Sequence, residues 1–209
     1  MVTPPIAPDL AGRGRLVERI RAAAGAGAHL VQIRQPALEG GALTWLVRDA
    51  VSAVRGTGAR ILVNDRLDVA LAAGAHGVHL RGDSVHASRV RSIAPSGFLI
   101  GRSVHARDEA AHAARDGGLD YLLFGNVFET ASKPGASAAG TAALAAVCAA
   151  VSLPVLAIGG MTPDRLVAVA RSGAAGFAAI GLFSEELPGA IEAMMREAVQ
   201  LFDTPAGVP

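Results

Sequence analysis

The chain is expected to fold as an α/β protein, a single (β/α)8 barrel over residues 1–209 with a short first strand. Three observations predict it. Short apolar runs alternate with helix-like segments along the whole sequence, which calls for a parallel sheet covered on both faces. Glycines stand at many helix-to-strand joints, where a helix end favours a residue able to adopt positive φ. Polar side chains recur after nearly every apolar run, as they must when successive strand ends feed one mouth.

The first strand of such a barrel falls on Met1–Thr3, before a helix over Leu10–Ala24 that ends at Gly25 and Gly27. His29–Arg34 (HLVQIR) is the next strand, and Ala42–Val54 is its helix, closed by Gly56 and Gly58. Arg60–Asn64 (RILVN) leads to the helix Arg66–Ala73, which stops at Gly74. Gly77–Leu80 (GVHL) precedes a helix around Ala87–Ile93. Phe98–Ser103 (FLIGRS), the helix Arg107–Asp116 and Asp120–Gly125 (DYLLFG) continue the alternation across Gly117 and Gly118. The helix Thr141–Val151 leads to the strand Pro154–Ile158 (PVLAI). Pro163–Ser172 closes at Gly173, before the strand Gly176–Gly181 (GFAAIG) and a final helix from Pro188 to Phe202. An open doubly wound sheet is the rival arrangement. Polar residues after nearly every strand favour the barrel, and the short loops leave no room for a linker or a second domain.

The length of 209 residues fits one domain. With 19 Lys+Arg against 18 Asp+Glu the formal charge is +1, so there is no global attraction to nucleic acid or acidic membranes. A chain 51% hydrophobic and 18% charged is not a disordered one. No charged residue occurs from Pro134 to Pro163, yet Pro154 and Gly159-Gly160 interrupt that stretch. An amphipathic helix and a buried strand are expected there, not a membrane span. Cys148 is the single cysteine, and no secretory signal opens the chain; a reducing, cytoplasmic location follows as the expectation.

The candidate chemistry sits after the strands. In Gly159-Gly160-Met161-Thr162-Pro163-Asp164, Thr162 suits a helix N-cap and Pro163 the first helical position. The glycines ahead of that helix let bare N–H groups face a phosphate, and Ile180-Gly181 offers a second bare backbone. His105 is the candidate acid/base group, because imidazole exchanges protons near neutral pH. Arg34 and Lys133 are candidate cations for an anionic ligand, and for Arg34 an ion pair with Asp65 is the plain structural alternative. Asn64, Thr130 and Ser132 complete the polar set. Asn64-Asp65 would suit Mg²⁺ only with further oxygen ligands. His79 is expected to be a packed residue, and His29, His76, His86 and His112 surface ones. The absence of a His-x-x-x-His pair or a cysteine cluster argues against zinc.

The runs VQIR (31–34), VNDRLDVAL (63–71), GVHL (77–80), IGRSVH (100–105), DYLLFGNVFET-x-x-K (120–133) and AIGGMTPDRL (157–166) resemble the thiamine phosphate synthase superfamily. Within it, IGRSVH, FGNVFET and AIGGMTPDRL most resemble the thiazole tautomerase (TenI-type) branch. That resemblance implies a (β/α)8 barrel acting as an isomerase in thiamine biosynthesis, with no cofactor and no metal. It would aromatise 2-carboxy-4-methylthiazol-5(2H)-ylidene ethyl phosphate to the carboxythiazole ethyl phosphate. It places the proton-transferring histidine on His105, phosphate contacts on Gly159, Gly160, Ile180 and Gly181, and Thr130 and Lys133 near the ligand. The sibling synthase couples the thiazole phosphate to a pyrimidine pyrophosphate and needs Mg²⁺. Its pattern has a lysine where this chain has Pro36, and a metal-binding Asp where strict register gives Ser84, with Asp83 one residue away.

Three expectations follow. The first is the cofactor-independent thiazole tautomerase, with the Mg²⁺-dependent synthase as the alternative and a non-catalytic regulator binding thiamine-type phosphates as the third. The expected partners are a small-molecule phosphate, with neither nucleic acid nor membrane. A homo-oligomer, a dimer first, is the expected assembly, for which apolar surface on a helix such as Ile191–Leu201 would serve.

Overall fold

The computed structural model describes residues 1–130, 135, 137–183 and 188–203. Eight α-helices are described: α1 Leu10–Gly25, α2 Gly40–Ala53, α3 Leu67–Ala73, α4 Ala87–Arg91, α5 Arg107–Arg115, α6 Gly140–Ala150, α7 Pro163–Arg171 and α8 Pro188–Asp203. They alternate with the strands β1 Leu30–Ile33, β2 Arg60–Asn64, β3 Gly77–Leu80, β4 Leu99–Val104, β5 Tyr121–Phe124, β6 Val155–Ile158 and β7 Gly176–Ala178. A short 3-10 helix covers Gly181–Phe183. The strands form a seven-stranded sheet in chain order. This corrects the closed eight-stranded barrel. The Met1–Thr3 segment contributes only an isolated parallel bridge, Val2 to Gln32. The reason is local. The Thr3 N–H donates to the Gln32 carbonyl at 3.0 Å, and then Pro4 and Pro5 bring no N–H with which to extend the ladder.

Two compact units can be distinguished. One holds Met1–His79, Ser92–Leu99 and Ile180–Arg196; the other holds Leu80–Arg91, Ile100–Ala179 and Glu197–Pro209. In the first, β1, β2 and β3 pair in parallel, with Val31 beside Ile61 and Val63 beside Val78. Val31, Ile61, Leu62, Val63 and Val78 are fully buried, as expected of parallel strands covered on both faces. Leu16 and Ile20 of α1 and Leu46 and Val47 of α2 complete that core. Asp9 caps α1, its Oδ1 accepting the Gly12 N–H at 2.6 Å.

His76 departs from the expected surface position. It is half-buried, and its Nδ1 accepts the Ile61 N–H at 3.0 Å while its own carbonyl accepts from Leu99 N at 2.9 Å. His79 is buried on β3, as expected.

In the second unit β4, β5, β6 and β7 pair in parallel. Its core includes Ile100, Leu122, Phe124, Leu144 and Leu166. Arg91 and Asp120 fasten the helix side: Arg91 Nη2 donates to Asp120 Oδ2 at 2.6 Å, and the same oxygen accepts the Ile100 N–H at 2.7 Å. Gly101 on β4 faces Tyr121 of β5 in register. A Cβ at Gly101 would collide with the Tyr121 ring, and burial pushes the Tyr121 hydroxyl pKa up. Among the described residues no helix is long and apolar enough to cross a membrane. The uncharged stretch after Pro134 holds α6 and β6, as expected.

Two predictions follow from this packing. Gly101→Ala should lower unfolding stability by about 1–3 kcal/mol through overpacking against Tyr121, read from urea unfolding midpoints. An unchanged midpoint would contradict the close approach of β4 and β5. His76 should make stability pH-dependent, because burial holds its pKa below the usual 6.5 and the nearby Arg60 adds to the effect. The folded state favours the neutral ring, so the contribution is complete above that value and is lost as pH falls below it. His76→Asn keeps an acceptor but does not titrate; the variant should lose less stability between neutral and acidic pH. Equal losses would contradict the assignment.

Candidate functional site

The loops after β5 and β6 are knitted together through their backbones. Val127 N–H donates to the Ile158 carbonyl at 3.0 Å, and Phe128 N–H donates to the Gly159 carbonyl at 3.1 Å. The close approach explains both glycines. Gly159 has φ +107°, and a Cβ there would lie 2.6 Å from Asn126 Oδ1 and 2.9 Å from Asn126 Cα. Gly160 has φ +61°, and a Cβ there would strike the Glu129 carbonyl and stand 2.8 Å from Phe128 Cβ. Arg165 of α7 secures the turn: its Nη1 donates to the Gly160 carbonyl at 2.6 Å, and its guanidinium lies 4.7 Å from the centre of the Phe128 ring.

Thr162 occupies the N-cap position of α7 with Pro163 at its start, yet its side chain makes no capping bond. Its Oγ1 is buried without a hydrogen-bond partner among the described residues, and so is Asn126 Nδ2. Two buried polar atoms left unpaired beside a helix N-terminus are energetically costly unless something else satisfies them. The chemistry that suits them and the amides ahead of α7 is an oxyanion such as phosphate.

His105 follows β4 and is exposed. Its backbone N–H donates to Glu109 Oε2 at 2.7 Å, and its ring Nδ1 is hydrogen-bonded to the Gly125 carbonyl. A carbonyl only accepts, so Nδ1 carries the hydrogen, and in the neutral ring Nε2 holds the lone pair. Glu109 serves a second segment, because a Cβ at Gly82 would lie 3.0 Å from its Oε1. That segment, the Arg81–Val85 loop after β3, is held by Arg102. The guanidinium of Arg102 donates to the carbonyls of Gly82 (3.0 Å), Ser84 (3.5 Å) and Val85.

In the first unit, Gln32 Nε2 donates to Asn64 Oδ1 at 2.8 Å, which fixes the Asn64 amide and leaves its Nδ2 as donor. Asp65 adopts φ +58°, the left-handed region that Asp tolerates better than most residues, and its N–H donates to the His79 carbonyl at 2.8 Å. Arg34 is exposed and forms no ion pair among the described residues, so the alternative pairing with Asp65 is not observed. Its backbone N–H donates to Thr3 Oγ1 at 2.9 Å. Ile180 and Gly181 also belong to the first unit, at the start of the 3-10 helix. His105, Thr130, Gly159 and Gly160 belong to the second. Ser132 and Lys133 lie outside the described residues.

Sequence reasoning missed Arg102 and Arg165, while it placed Asn126 among the polar residues after its strand. Arg102 is the one charged residue of its strand, an out-of-pattern charge that was a readable signal. Arg165 follows an N-cap by three residues, a position that gives no hint of its hold on Gly160.

The thiamine monophosphate synthase family (TMP-TENI) matches residues 1–183. The thiamine-phosphate synthase of Methanoculleus marisnigri is 43% identical over 178 residues, covering 81% of each chain. That of Roseiflexus castenholzii is 39% identical over 171 residues, covering 81% of this chain and 75% of its own. Among solved structures, thiamine phosphate pyrophosphorylase from Pyrococcus furiosus superposes with a TM-score of 0.79 at 30% identity, over 90% of this chain and 89% of its own. These relatives overturn the isomerase expectation: they are named for the synthase, and none of the three for a thiazole tautomerase. The physical reason is that IGRSVH, FGNVFET and AIGGMTPDRL build strand ends and a glycine turn before a helix, features that do not by themselves select the reaction. The chain belongs to the thiamine monophosphate synthase family.

Proposed function

We propose that this protein is a thiamine-phosphate synthase, a transferase that couples a thiazole phosphate to a pyrimidine pyrophosphate and releases pyrophosphate. The observation that carries the reading is 43% identity to a thiamine-phosphate synthase across most of both chains. The turn made by the loops after β5 and β6 supports it, because it suits a phosphate of the kind the thiazole carries. Backbone amides at Gly159-Gly160, with Thr162 Oγ1 and Asn126 Nδ2 as two further donors, would receive that group. Arg34 is a cation suited to an anionic substrate. His105 offers Nε2, and Asn64 and Thr130 offer polar contacts. Lys133 and Ser132 are proposed on sequence alone. The coupling forms one carbon–nitrogen bond and breaks one carbon–oxygen bond, with no ring proton to relocate. Proton transfer between ring carbons by His105 therefore belongs to the isomerase reading that the relatives set aside.

The synthase reading brings Mg²⁺ with it. Among the described residues no three His, Cys, Asp or Glu side chains gather into a cage. Mg²⁺ does not require such a cage, because it keeps several waters and is commonly held by one or two carboxylates plus substrate phosphates. Asp83, exposed in the loop after β3, offers such a carboxylate. When bound, the ion would neutralise charge on the departing pyrophosphate. The chain's own contribution is to hold the thiazole phosphate and so to orient the ring for attack.

The test combines purified protein, both substrates and Mg²⁺, with pyrophosphate release followed continuously. Release that needs both substrates and falls to background in chelator is the expected result. No release with both substrates and Mg²⁺ present would reject the reading.

A further inference from the structure

We infer that Thr3 and Gln35 are positioning residues that set Arg34 in place for the diphosphate of the pyrimidine substrate. The inference rests on the synthase reading above. That reaction brings two anionic groups to the protein. The turn at Gly159-Gly160 suits the phosphate of the thiazole, which leaves the diphosphate for Arg34, a cation exposed after β1 with no ion pair among the described residues. The main chain at Arg34 is fixed from three sides. Before it, Ile33 lies beside Val63 in the parallel ladder. After it, the Leu38 N–H donates to the Gln35 carbonyl at 3.1 Å, closing a turn whose second position, Pro36, suits a fixed φ. At Arg34 itself, the N–H donates to Thr3 Oγ1 at 2.9 Å.

The acceptor of that last bond is held by a buried amide. Thr3 is 1% exposed and Gln35 6%. Gln35 Nε2 donates to Thr3 Oγ1 at 3.1 Å and to the Pro4 carbonyl at 2.6 Å, and its Oε1 accepts the Ile6 N–H at 3.2 Å. Residues 3–6 cannot extend the ladder through Pro4 and Pro5, so this one side chain holds them against the end of β1. It also fixes the Thr3 hydroxyl where the Arg34 N–H meets it. Two apolar side chains would fill the same buried space without the cost of desolvating an amide and a hydroxyl. What the polar pair adds is a defined backbone at Arg34, which leaves only the guanidinium arm free to move. A cation on a fixed main chain has less freedom to lose on gripping an anion than one on a mobile loop. Every group in this network belongs to the first unit.

Calorimetric titration with inorganic pyrophosphate and Mg²⁺ across a double-mutant cycle tests this without turnover. Thr3→Val removes the hydroxyl and should weaken pyrophosphate binding about 3- to 10-fold, while Thr3→Ser restores native affinity. In an Arg34→Ala background the Thr3→Val change should weaken binding no further, because Thr3 acts through Arg34. A merely structural Thr3 would weaken binding equally in both backgrounds, and that result would overturn the inference. Native affinity in a folded Thr3→Val or Arg34→Ala protein would overturn it too, as would a native protein that binds no pyrophosphate. Should Thr3→Val fail to fold, Gln35→Met in the same two backgrounds decides: an effect confined to the Arg34 background supports the inference, and equal effects overturn it. Native protein that couples both substrates while the cycle is additive overturns the inference and leaves the synthase reading standing. The expected cycle in a protein that couples no substrates would overturn the synthase reading and leave the positioning of Arg34 standing.

Discussion

The backbone join between the β5 and β6 loops is the constraint on which the rest of the site depends. Two hydrogen bonds, Val127 to Ile158 and Phe128 to Gly159, bring the main chains close enough that no Cβ fits at Gly159 or Gly160. Asn126 Nδ2 and Thr162 Oγ1 are buried without a hydrogen-bond partner among the described residues, and on the proposed reading a phosphate would supply one. A larger residue at either glycine would force the loops apart and disrupt the fold of the turn.

Arginines do the complementary work, and they do it through carbonyls. Arg165 holds Gly160 and stacks on Phe128, while Arg102 holds Gly82, Ser84 and Val85. In both cases the side chain lies against a loop rather than a carboxylate. A planar guanidinium with several donors can fix a loop's shape without consuming the loop's own side chains. Glu109 joins the set, bonded to the His105 backbone and close to Gly82. The described contacts thus arrange loops first, and their functional groups follow.

Much of this was legible in the sequence. Period, glycine punctuation and β-branched runs place β2 at Arg60–Asn64 and β3 at Gly77–Leu80 as observed, and the helices within a few residues. The Gly159-Gly160 turn was legible because glycine there has a steric cause. Three things were not. The edge contributed by Met1–Thr3 is a single bridge because Pro4 and Pro5 stop the ladder, a tertiary outcome that apolar pattern alone overstates. Thr162 has the identity and backbone of an N-cap without the bond, since propensity specifies a residue type and not where its hydroxyl points. IGRSVH, FGNVFET and AIGGMTPDRL lie at strand ends and at a turn before a helix, which do not by themselves select a reaction, so likeness at those places carried the wrong activity.

The central claim is that the turn at Gly159-Gly160 receives the substrate's phosphate. A crystal structure of the protein with thiamine phosphate bound tests it most directly. The account predicts phosphate oxygens within hydrogen-bond distance of the Gly160 amide, Thr162 Oγ1 and Asn126 Nδ2. A phosphate seated elsewhere, with those two side-chain atoms still unpaired, would contradict it.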